Sequence, residues 1–278
     1  MENSNMTINE NKSKRKLIML YIILALGIAL MVFFSTALII NTVATRQGEA
    51  FYDTVAVEFI PRPTPLPTRV TPNTPSEQQI IDEIEEDVDE PILIDFDAMT
   101  EEIPDIIGWI QSEGTPINFP IVQGRDNFFY LNHLPNRQRN HLGSIFMDYR
   151  NAPDFTNLIT KIYGHNTPNG TMFGTLRQYS SQQFFEDHHS MFIFTPDQNY
   201  ELVLFAGYTL DSAFEVPPMS FANSESFYEF IDNIRRRSIF SSELEITFGD
   251  RLVLLATCTS GGLESERLII VGKLVNII

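Results

Sequence analysis

The chain has 278 residues, 43% of them hydrophobic, and a formal net charge of −17 from 36 acidic and 19 basic side chains. Such an acid excess argues against nucleic acid as a partner, because a phosphate backbone needs a basic face. A single cysteine excludes an intrachain disulfide framework. The five histidines (His133, His141, His165, His188, His189) have no zinc-ligand spacing with it, so neither a metal nor a cofactor is expected.

Leu17 to Ile40 is a run of 24 residues without a charged side chain. As a helix it would measure roughly 36 Å, against about 30 Å of hydrocarbon in a bilayer, which predicts one transmembrane span. Lys12, Lys14, Arg15 and Lys16 precede the run, and only Arg46 follows closely. The positive-inside rule then keeps residues 1–16 in the cytoplasm and everything beyond the span outside the cell. A cleaved signal peptide is the other reading, since Ala44 and other small residues follow. The run is well beyond the roughly 7–15 residues of a signal-peptide core, which favours an uncleaved anchor.

Residues 41–91 read as an extracellular stalk. Within it, PRPTPLPTRVTPNTP (61–75) has six prolines in fifteen positions, a composition that favours extended, semi-rigid chain. Residues 76–90 add eight acidic side chains and no basic one. Such a block repels itself and stays solvated, and it has no calcium-loop pattern.

Residues 92–278 have the composition of one globular domain, with 23 acidic and 12 basic residues. Asp95 to Ile110 spaces apolar residues at helical intervals, and Pro104 would divide it into two short helices. Strands are predicted at Ile117–Val122, Ser144–Asp148, Leu158–Tyr163, Met191–Thr195, Tyr200–Tyr208, Arg251–Thr257 and Leu268–Ile277, from β-branched and aromatic runs bounded by turn residues. Helical intervals are predicted around Met172–His188 and at Ser224–Arg237, where Phe227, Phe230, Ile231 and Ile234 recur at 3–4 spacing. Many short strands with few helices imply a mainly β barrel or sandwich.

A free thiol outside the cell is an oxidation hazard, so the lone cysteine needs an explanation. Cys258 ends the apolar run RLVLLAT and precedes the flexible Thr259-Ser260-Gly261-Gly262. A strand terminus is where a rigid element would display a reactive group. A buried structural cysteine is equally open from position alone. A thiol nucleophile needs a proton-transfer partner and an oxyanion stabiliser. His165 also ends a strand-like run, between Gly164 and a turn-rich segment. Arg267 opens the last strand, nine residues past Cys258; it reads either as an exposed edge arginine or as a guanidinium near the thiol that would lower its pKa and bind a carbonyl oxygen. A papain-like protease fits poorly, because in that family the cysteine precedes the histidine, whereas here His165 comes 93 residues before Cys258.

Five segments carry a family resemblance: GWIQSEGTPINFPIVQGRDNFFYL (108–131), GSIFMDYRN (143–151), KIYGHNTPNGTMFGTL (161–176), LLATCTS (254–260) and ERLIIVGKL (266–274). In them the chain resembles the sortases, membrane-anchored cysteine transpeptidases of Gram-positive surfaces, and most of all class B. The resemblance implies a mainly β, sortase-like barrel with N-terminal helices and with Ser224–Arg237 inserted between late strands as a groove wall. It implies Cys258 as nucleophile, His165 as general acid/base and Arg267 as oxyanion and substrate-positioning residue. Asn127, Leu131 and Thr257 match positions at the substrate groove. Substrates would be surface proteins or pilins bearing a Thr-containing sorting signal, joined through a thioester to a cell-wall or pilin amine. Apart from the resemblance, nothing in the sequence suggests a dimer seam, so a monomeric head is expected. The chain departs from the pattern at Thr259, where an acidic residue is common, and at Ala256, where serine is usual. A non-catalytic, membrane-tethered scaffold on the same barrel is the alternative function.

Overall fold

The structure, a computed structural model, describes residues 2–59, 94–210, 217–258 and 267–277, with residues 2–14 and 258 described by backbone alone. Two compact units emerge, Met1–Gln47 and Gly48–Ile278. Helix α1 is Glu2–Phe59. In the first unit its apolar residues from Leu17 to Ile40 are exposed, and the mean hydropathy of its most apolar stretch is 2.9. By length and composition this helix is sufficient to cross a membrane. The Thr36 and Thr42 hydroxyls donate to the carbonyls of Val32 and Leu38 at 2.8 and 2.9 Å, so neither is left unpaired along the apolar face.

The second unit begins with the last turns of α1. Tyr52 and Val55 are buried against the head, so residues 48–59 pack with it although the sequence reads as stalk from residue 41. The reason is side-chain spacing. Tyr52 and Val55 lie three apart on one helix face and find apolar partners across it. The proline-rich and acidic segments of the stalk lie outside the described residues.

Asp95 caps α2 (Phe96–Glu102) by accepting from the Ala98 amide at 2.9 Å, and Phe96 and Met99 bury its inner face. The second helix expected before Ile110 is instead strand β1, Ile106–Gln111. Pairing overrides the helical spacing, because β1 lies between two strands of a closed barrel and fills hydrogen bonds on both edges. The remaining strands are β2 (Asn118–Val122), β3 (Ile145–Met147), β4 (Ile159–His165), β5 (Ser190–Phe194), β6 (Asn199–Leu210), β7 (Leu252–Cys258) and β8 (Arg267–Asn276). Their order is β1-β2-β3-β4-β7-β8-β6-β5, with only β2/β3 and β4/β7 parallel.

The interval 172–188 forms a 3-10 helix, Gly174–Ser180, and α3, Gln182–Asp187. Helix α4, Ser224–Arg237, has the predicted bounds, and an Asn223 capping box starts it. Residues facing into the barrel, among them Ile110, Ile121, Ile162, Leu255 and Ile270, form one core. A second core lies outside, where Phe227, Ile231 and Ile234 of α4 pack on Phe205, Leu254 and Ile269. The alternation of β7 serves both: Val253 and Leu255 point inward while Leu252, Leu254 and Ala256 point outward.

Candidate active site

The site is built at the ends of two parallel strands. The β4/β7 register pairs Lys161 with Leu254, Tyr163 with Ala256 and His165 with Cys258. Residues paired in this way share one face of the sheet. On the other side of β7, Leu254 pairs with Val271 and Ala256 with Ile269 of antiparallel β8. The same register carried two residues further sets Cys258 level with Arg267. The backbones of the three residues singled out in the sequence therefore meet at one barrel end.

His165 is oriented by backbone. Its Nε2 lies 2.6 Å from the Leu131 carbonyl oxygen. A carbonyl only accepts, so Nε2 carries a proton and Nδ1 is the atom open to chemistry. Two glycines near this ring have no space for a side chain. At Gly164 a Cβ would lie 2.7 Å from the Phe173 ring, and it would also collide with Ile145. Gly143 has φ +64°, and a Cβ there would meet His165 Cδ2 and Leu131 O at 2.8 Å and Tyr130 O at 2.9 Å. Only a residue without a side chain brings these three groups together at that turn.

Thr257 is buried on the inner face, where its hydroxyl oxygen accepts from the Leu268 amide at 3.0 Å and donates to the Leu268 carbonyl at 3.3 Å. The hydroxyl thus fastens the start of β8, and so Arg267, to the end of β7. Leu131 contributes its carbonyl to His165, while its side chain packs on the cluster around Tyr130 and Phe146. Asn127 is held at both ends of its amide, by Asp148 and by the Tyr149 amide.

A cavity beside Arg267 is lined by Tyr163, Ala256, Ile269, Pro217 and Lys161. The sequence reading missed Lys161, a lone lysine in an apolar strand. Its ammonium donates to the Pro217 carbonyl. Burial pushes its pKa down to about 8, with the charge of Asp148 opposing that shift. Among the described residues no group of three or more His, Cys, Asp or Glu is placed to hold a metal ion. His133 stacks on Phe129 with ring centroids 4.0 Å apart, and His188 Nδ1 lies 3.1 Å from the Glu113 carbonyl oxygen, so both serve local packing.

No protein-family model matches the chain. It is 33% identical over 183 residues to sortase B of Staphylococcus aureus, covering 66% of this chain and 75% of that protein. It is 35% identical over 172 residues to sortase B of Listeria monocytogenes, covering 62% and 70%. The chain belongs to the class B sortases. A Staphylococcus aureus sortase B–substrate complex superposes with a TM-score of 0.68 at 28% identity, covering 84% of this chain and 99% of that one. A sortase B complexed with triglycine gives 0.69 at 28% identity, covering 84% and 100%. This sortase is accordingly a cysteine transpeptidase, and the scaffold alternative falls.

Proposed function

We propose that this sortase cleaves a Thr-containing C-terminal sorting signal and joins the protein to an amine, with Cys258 as nucleophile, His165 as proton donor and acceptor, and Arg267 as oxyanion partner. The register carries the reading: His165 and Cys258 are direct partners at the ends of parallel strands, and Arg267 opens the next strand. The chain has no other cysteine to serve as its nucleophile.

In this mechanism the Cys258 thiolate attacks the scissile carbonyl carbon, forming a C–S bond and moving the electron pair onto oxygen. The Arg267 guanidinium, a permanent cation with several donors, stabilises that oxyanion. Collapse breaks the C–N bond, and imidazolium His165 gives its Nδ1 proton to the departing amine, leaving a thioester. The acceptor amine then attacks the thioester carbon, loses a proton to Nδ1, and releases the thiolate. Both transfers run through Nδ1, because Nε2–H is committed to Leu131. Thr257 supports the site by holding Arg267 in register.

Sortase B structures with substrate and with triglycine bound support a peptide donor and an amine acceptor here. The acceptor would be a peptidoglycan-precursor or pilin amine. The long apolar helix fits an arrangement with residues 1–16 in the cytoplasm, 17–40 in the membrane, 41–91 as a connecting segment whose residues 48–59 pack on the head, and 92–278 as the extracellular catalytic domain. Asn127 and Leu131 would border the peptide groove.

The test uses the full chain in detergent micelles with a panel of Thr-containing peptides and triglycine. Cys258→Ala is expected to abolish transfer, and His165→Ala and Arg267→Ala to slow it about 10²- to 10³-fold or more. Transfer that persists in Cys258→Ala would overturn the assignment.

A further inference from the structure

Directly after β3, behind the outer face of β4, lies a carboxylate that the mechanism does not use. The Asp148 side chain is fully buried. Its Oδ1 accepts from the Arg150 amide at 3.0 Å and from Arg150 Nε at 2.8 Å. Its Oδ2 accepts from Arg150 Nη2 at 2.7 Å, from Asn127 Nδ2 at 3.0 Å and from the Tyr163 hydroxyl at 3.0 Å. Burial alone would favour the neutral acid. Arg150, Tyr163 and Asn127 outweigh it and hold the group well below the usual carboxylate range. An ionised, buried carboxylate with five donors is costly to assemble unless it fixes something.

What it fixes lies at the active site. Tyr163 is on the His165 face of β4 and lines the cavity beside Arg267. Asn127 and Leu131 begin and end one short segment, and that segment is fastened to the β4 neighbourhood at two points. At one end Asn127 binds Asp148, which also holds Tyr163. At the other the Leu131 carbonyl holds His165. The Asn127 amide has no freedom to flip. Its Oδ1 accepts from the Tyr149 amide at 3.0 Å, and reversing it would set an oxygen against the carboxylate. One Nδ2 proton then remains to donate to a peptide acceptor.

Resting on the sortase reading above, we infer that Asp148 is a positioning residue for substrate. It holds the Tyr163 ring at the cavity beside Arg267 and, on the same carboxylate oxygen, the Asn127 amide that the resemblance sets at the peptide groove, so that a carbonyl oxygen of the sorting signal meets a preoriented N–H donor. Its contribution is to binding geometry and not to the acyl-transfer chemistry, since none of its partners is the thiol, the imidazole or the guanidinium of the reaction. A preorganised donor of this kind lowers the ordering cost of binding.

The test compares the full chain with Asp148→Asn, Tyr163→Phe, Asn127→Ala and the Asp148→Asn/Asn127→Ala pair, using one acylating peptide. Asp148→Asn and Asn127→Ala are each expected to raise KM about tenfold, with kcat falling no more than about twofold. The pair should cost little more than the worse single change, because both act through one contact. The alkylation rate of Cys258 by a small thiol reagent should not move, whereas general damage to the barrel would change it. Unaltered KM in Asp148→Asn, or full additivity in the pair, overturns the inference. If Asp148→Asn does not fold, Tyr163→Phe removes one hydroxyl only, and an unaltered KM there is decisive against it. A wild-type chain that acylates normally beside unimpaired variants refutes the positioning role alone. A wild-type chain that never acylates overturns the proposed acyl-enzyme mechanism as well.

Discussion

The Tyr52 hydroxyl donates to the Gly143 carbonyl at 2.6 Å, although the two residues are 91 apart in sequence. Gly143 in turn abuts the His165 ring and the carbonyl that holds it. The last turns of the N-terminal helix therefore brace the turn behind the proposed acid/base. Burial raises the Tyr52 pKa above that of an ordinary phenol, so the hydroxyl remains a donor at any working pH. Tyr52→Phe should cost about 1 kcal/mol of stability and slow acylation several-fold, read by denaturant unfolding beside single-turnover kinetics. Unchanged acylation with reduced stability would confine Tyr52 to a structural role.

Gly143→Ala tests the same turn from the other side. The added methyl would need to displace His165 or the carbonyls of Tyr130 and Leu131, at a backbone φ of +64° that alanine resists. The expected cost is about 1–3 kcal/mol of stability, and a misplaced imidazole should lose about 10²-fold in rate. A crystal structure of the variant would show whether His165 leaves Leu131.

How much of this was legible in the sequence depends on how local each feature is. Cys258, His165 and Arg267 stand at strand boundaries that Gly, Pro and Asn mark nearby, which made each a candidate; their roles as a set came from the family resemblance, and the β4/β7 pairing that joins two of them is remote in sequence. Strand β1 was misread because Ile106, Ile107 and Ile110 also fit a helical face. Only pairing with β2 and β5, remote in sequence, decides between them. Tyr52 carried no signal, since its partner lies far along the chain. Asp148 and Lys161 read as isolated polar residues in apolar strands, and their meaning comes from Asn127, Tyr163 and Pro217 across the fold. Thr257 was expected at the substrate groove from the resemblance alone. The binding of its hydroxyl to Leu268 was not.

Thr257→Val keeps the shape of the side chain and removes the hydroxyl that pairs with both backbone groups of Leu268. The start of β8 should loosen at a cost of about 1–3 kcal/mol, because the Leu268 amide is left unpaired. kcat should fall with it as Arg267 loses register, while Cys258 alkylation persists. Thr257→Ser should restore both, and full activity in Thr257→Val would show that β8 holds Arg267 without this contact.

Lys161 makes a stability prediction of definite sign. Its folded pKa of about 8 lies below the ordinary 10.5, because burial disfavours the ammonium. Between those values the unfolded chain binds a proton that the folded chain has released, so stability rises with pH across that window. Below about pH 8 the folded state bears the full penalty. Lys161→Met should therefore resist denaturant better than wild type at pH 7, and its advantage should shrink by about pH 10. Equal stability at both pH values would mean that the ammonium is solvated in the native state.

The most direct measurement is the intact mass of the full chain after incubation with a Thr-containing sorting peptide and no acceptor amine. A mass gain equal to the acyl fragment ending at that Thr is expected on wild type, absent from Cys258→Ala and discharged by triglycine. Peptide cleaved without any adduct, or an adduct that survives in Cys258→Ala, would contradict Cys258 as the nucleophile.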